Sequence, residues 1–118
     1  MTAQFDPSTV IEPFPEFADA TPPAWATYAE DSSRSRDGEP IRLWNRELSN
    51  DCGVAGDINR FDTASTGGIV EGETTLDVWI PDAGDSLEFK SSNQLRDVAR
   101  RLLTIADEFD AAVGGDAQ

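Results

Sequence analysis

At 118 residues, with 38% hydrophobic side chains and a mean hydropathy of −0.44, the chain is sized for one domain with a modest core. It carries 23 acidic against nine basic residues, a net charge of −14, which predicts repulsion from phosphate backbones and anionic membranes. The absence of histidine and the presence of a single cysteine, Cys52, exclude histidine-based triads, CxxC and HExxH metal sites and an internal disulfide framework.

Five of the seven prolines, Pro7, Pro13, Pro15, Pro22 and Pro23, fall in the first 23 residues and predict an irregular arm. The arm also carries Phe5, Val10, Ile11, Phe14, Phe17, Trp25 and Tyr28, too much apolar mass for a solvated tail, so it needs a surface to lie on. Its first thirty residues hold no basic side chain, and nowhere does an apolar run approach the eighteen or so residues of a membrane span. A cytoplasmic protein is the expectation. Ser32, Ser33, Ser35, Asp37, Gly38 and Pro40 then read as a loop, which divides the chain into an acidic arm and loop over 1–40 and a compact domain over 41–114.

From Ile41 the pattern has period two: Ile41 and Leu43 point one way and Arg42, Trp44 and Arg46 the other, as in a half-buried strand. Ser49 to Gly53 has turn chemistry. Val54, Ile58 and Phe61 mark a weaker strand in which the changed parity between Ile58 and Phe61 suggests a bulge. Ile69 and Val70 suggest a short extended piece. Thr74 to Ile80 is the clearest strand, with Leu76, Val78 and Ile80 on one face and Thr75, Asp77 and Trp79 on the other. Pro81 to Asp85 connects it to a last strand over Ser86 to Lys90.

Ser91-Ser92-Asn93-Gln94 has the form of a capping box and opens a helix, on which Leu95, Val98, Leu102, Ile105, Ala106, Phe109 and Val113 recur at helical spacing before Gly114-Gly115. Its length, about 33 Å, suffices to cross a small sheet. Arg96, Arg100 and Arg101 occupy the first half and Asp107, Glu108 and Asp110 the C-terminal end, against the helix dipole.

Candidate sites follow from these placements. Trp44 and Trp79 both fall out of register with the aliphatic strand face and are expected to share the second face, as an anchor for a partner or as a small core covered by the arm. Asp77, beside Trp79, is open to an acid role but is expected to pair with Arg42 or Arg46 across the sheet. Asp107, Glu108 and Asp110, with Asp116 and the loop acids Asp82 and Asp85, form a candidate acidic contact surface. Cys52, next to Asp51, lacks a base and reads as a turn residue. No calcium loop, P-loop or dinucleotide-binding glycine pattern is present, so no cofactor or metal is expected.

The order of Pro23-Ala24-Trp25, the strand Ile41-Arg42-Leu43-Trp44, the Gly67-Gly68-Ile69-Val70 step, the Val78 strand and the helix from Leu95 to Glu108 resembles small uncharacterised proteins of actinobacteria and their phages. The resemblance spans about residues 22 to 113, with Ala26 where part of that group has cysteine, and it implies a phage or accessory gene without an activity.

The expected fold is α+β: a meander of three or four antiparallel strands followed by one long C-terminal helix packed across one face. The expected function is a non-enzymatic, acidic protein-binding module that occupies a protein surface, one with basic character in particular, without direct contact to nucleic acid or membrane. Two rivals stand beside it: a nucleic-acid mimic that inhibits a DNA-binding protein, and a carboxylate-based enzyme.

Overall fold

A computed structural model describes residues 5–33 and 36–114; Ser35, Gly115 and Asp116, which entered the loop, helix-end and acidic-cluster expectations, lie outside them. The chain is α+β, a six-stranded antiparallel sheet followed by one C-terminal helix. The strands are β1 (Tyr28–Ser32), β2 (Ile41–Asp51), β3 (Val54–Ser65), β4 (Gly68–Val70), β5 (Thr75–Trp79) and β6 (Leu87–Phe89), and the helix is α1 (Ser92–Phe109), with a wider π turn over Asp110–Gly114.

The frame is the β2–β3 hairpin. Its strands run past the expected turn at Ser49 and close on two residues, Cys52 and Gly53, both at positive φ (54° and 83°), the backbone that suits a two-residue hairpin between twisted strands. The pairing is unbroken from Ile41↔Thr63 to Glu47↔Asp57, and a bulge follows in β2 between Glu47 and Asn50. The bulge expected in β3 between Ile58 and Phe61 is therefore absent: these two residues lie on opposite faces of a regular strand. Pairing order is β1-β2-β3-β5-β6, with β4 beside β5 on the same edge of β3. Between β4 and β5 the chain crosses at Gly72, where an added Cβ would overlap the Phe61 carbonyl oxygen.

Strand β1 arises from the segment read as arm and loop. It pairs with β2 from Tyr28↔Asn45 to Ser32↔Ile41, and its inward residues are Ala29 and Asp31, a small side chain and an acid. Ile11 extends the sheet by a parallel bridge: its N–H donates to the Ala29 carbonyl (3.1 Å) and its carbonyl accepts from Asp31 N–H (3.0 Å).

The arm covers the Arg42/Trp44 face. Val10, Ala26, Ala29 and Trp44 form its core, with Phe5, Ala20 and Trp25 packed against them, and Phe5 meets the Trp44 ring edge-on at 5.2 Å. At the centre, Arg42 donates to both oxygens of Asp31 (Nε 2.6 Å, Nη2 2.7 Å), and its guanidinium lies 5.0 Å from the rings of Phe17 and Trp44. Asp31 also accepts the Phe14 N–H at 2.8 Å. Nearby, Asp62 accepts the Trp44 indole N–H (2.9 Å), a fork from Arg60 (2.8 and 2.9 Å) and the Gly72 N–H (3.1 Å). Every polar group thus brought inside has a partner, as a low-dielectric interior demands.

Helix α1 departs from the expectation of a helix laid across a sheet face. Only two residues separate it from β6, an edge strand, and its one substantive contact with the sheet is to β6. None of its residues is buried, and Leu102, Leu103, Ile105 and Phe109 stand 53–66% exposed. Ser91 caps it by accepting the Gln94 N–H (3.2 Å), while Gln94 reaches back to the Lys90 N–H (2.7 Å), one residue before the position expected. The molecule is elongated, with a radius of gyration of 19.3 Å; a compact chain of this length has about 13.5 Å.

Candidate interaction surface

Strand register decides where each candidate residue falls. Trp44 pairs with Arg60 and Trp79 with Ala55, positions of opposite parity in regular β3, so the two tryptophans occupy opposite faces rather than sharing one. Trp44 is fully buried under the arm, and Trp79 is 38% exposed on the other face. Asp77 shares Trp79's face and accepts from Asn59 Nδ2 (2.5 Å); the expected pairing with Arg42 or Arg46 does not form, because both arginines belong to the covered face, where Arg42 holds Asp31 and Arg46 donates to the Trp25 carbonyl (3.4 Å).

The face opposite the arm is open. Along β3 its successive residues are Ala55, Asp57, Asn59 and Phe61, and cross-strand pairing turns each into a row. Ala55 lies beside Trp79. Asp57 lies between Glu47 and Asp77, giving three carboxylates side by side on three strands. Asn59 links Asn45 (2.8 Å) to Asp77. Phe61, 57% exposed, lies beside Leu43. Two exposed aromatic rings therefore flank an acidic row, about 20 Å apart along the strand.

Like charges directly opposite one another oppose sheet pairing, and the row shows that strain electrostatically. Burial and the charges of Glu47 and Asp77 hold the Asp57 carboxyl above the ordinary carboxylate range, against a smaller opposite effect of the Asn45 hydrogen bond. Beside it a recess of about 200 Å³ is lined by Glu47, Leu48, Asn50, Asp57 and Trp79, and the β2 bulge shapes its rim. The arrangement offers two carboxylates and an indole to a side chain entering from outside. A cation entering there meets the Glu47 and Asp57 carboxylates and an aromatic ring.

Asp107, Glu108 and Asp110 are all exposed near the end of α1, away from the lining of this recess, and they form no ion pair among the described residues. Glu47, Asp57 and Phe61 were not singled out by sequence reasoning. The parity change between Ile58 and Phe61 was the available signal, since it puts Phe61 on the face of Asp57. No helix among the described residues is long and apolar enough to cross a membrane. No protein-family model, curated protein or solved structure matches this chain.

Proposed function

We propose that the chain is a non-enzymatic, acidic protein-binding module whose open sheet face seats a basic side chain of another protein between Trp79 and Asp57. The observation that carries this reading is the row Glu47, Asp57 and Asp77: three acids face one another on an open surface, at a cost to the sheet that an incoming cation removes. Phe61 and Trp79 on either side supply apolar area for a partner to cover, and aromatic residues of this kind dominate interface energies. The net charge of −14 draws a basic partner and speeds encounter. Trp44, a candidate contact by sequence, serves this function indirectly by fixing β2 beneath the arm.

The test is affinity capture from the native host lysate with three baits: the unaltered chain, Trp79→Ala, and Asp57→Asn with Asp77→Asn. A partner held by the first bait, lost from the other two and released by salt supports the recess. Equal recovery by all three baits refutes it, as does turnover of a metabolite that ceases in the Asp57→Asn/Asp77→Asn chain.

A further inference from the structure

The apolar stripe of α1 has no counterpart among the described residues. Leu102 is 53%, Ile105 60% and Phe109 63% exposed, and Val98 is half-buried. These four positions alternate at steps of four, three and four residues, the spacing of a two-helix seam. Two further observations say what covers it.

The first is charge order. Arg101 lies near the middle of α1 and Glu108 one residue before its end. Glu108 has no cation among the described residues. Arg101 binds Asp97 through Nε at 3.1 Å, which leaves its terminal nitrogens for an acid from outside. An antiparallel second copy brings an acid to Arg101 and a cation to Glu108 in one register. Val98 then faces Phe109, Leu102 faces Ile105 and Arg101 stands beside Glu108, each pair occurring twice by symmetry. A parallel copy would set arginine against arginine and acid against acid. With three arginines and four acids, α1 and its final turn carry only −1 of the net −14, so most of the repelling charge lies away from this seam.

The second is area. The accessible surface is 8526 Å², roughly 2,200 Å² more than a compact monomer of this mass exposes. A stable interface removes about 800 Å² from each partner.

We infer that the chain forms a two-fold symmetric homodimer through antiparallel pairing of α1 with α1 of a second copy. The recess beside Trp79 takes no part, so this inference stands or falls apart from the proposed function. The test is sedimentation equilibrium of the full chain at tens of micromolar, where the mass should be twice 12.8 kDa. Arg101→Glu and Glu108→Arg should each weaken the dimer by about tenfold or more. The chain carrying both changes should regain most of the affinity, because positions 101 and 108 are too far apart on one helix to compensate within it. In a Cys52→Ser background, Val98→Cys with Phe109→Cys should oxidise to a covalent dimer while neither change alone does so. A monomer at these concentrations, failure of the double charge reversal to recover, or cross-linking by Val98→Cys alone, which marks a parallel pair, would each overturn the inference.

Discussion

Replacing Arg42 by Met removes the centre of the arm's attachment. Asp31 is then left 1% exposed with the Phe14 N–H as its remaining donor, and Phe17 and Trp44 lose the guanidinium between them. Breaking a buried ion pair from one side costs about 3–5 kcal/mol, because the surviving charge remains out of water. Against a total stability of about 5–15 kcal/mol, such a loss brings the chain toward its unfolding midpoint. Replacing both members, Asp31→Leu with Arg42→Met, removes the stranded charge and should return the chain to within about 1–2 kcal/mol of the unaltered protein. Urea unfolding followed by tryptophan fluorescence reads both effects. With a slope of about 1–3 kcal/mol per molar, the single change should lower the midpoint by roughly 2 M and leave the slope unchanged. A single-variant loss below about 1 kcal/mol, the worth of an exposed pair, would refute the buried clamp. So would a double variant no more stable than the single one.

Gly72→Ala places a methyl against the Phe61 carbonyl and should cost about 1–3 kcal/mol or more, read as a fall in Tm. Cys52→Asn puts at φ 54° a residue that accepts the left-handed region more readily, and should raise the unfolding temperature by a few degrees. Asp57→Asn has a pH signature. Because the folded state raises this carboxyl's pKa, the folded chain binds the proton more tightly than the unfolded one; the penalty is absent below about pH 3.9, the ordinary aspartate value, and grows to completion as pH rises through the higher folded value. The Asn variant should therefore be more stable than the parent at pH 7 and equal to it in acid, as thermal melts across pH will show.

The elements with aliphatic or β-branched alternation, β2, β5 and the run to Phe89, were legible because period two survives in their side chains, and α1 was legible from its cap and its stripe. Strand β1 was not, because its inward positions are Ala29 and Asp31, and a buried acid carries no hydrophobic signal until Arg42 is set beside it. The arm's cover over Trp44 was one of the two readings of that face; what periodicity did not contain is that this face, with Arg42 in it, holds the main core, because hydrogen bonds and stacked rings are what let an arginine form the interior. Glu47, Asp57 and Asp77 lie ten or more residues apart in sequence, so only strand register makes them neighbours. The helix was right in extent and wrong in placement, since periodicity marks an apolar stripe without containing what covers it.

That the interior is closed by the first segment of the chain bears on how the protein is made. Residues 5–27 leave the ribosome before Arg42, Trp44 and Asp62 exist, so the arm has no site to bind until both strands of the β2–β3 hairpin have emerged. The hairpin, joined by two residues, forms on a scale of about microseconds, whereas the arm must close a loop of many residues to reach Trp44, so the part synthesised first is expected to fold last. During that interval Phe5, Val10 and Phe17 are unprotected, and nascent chains halted before β3 should be the ones that chaperones hold.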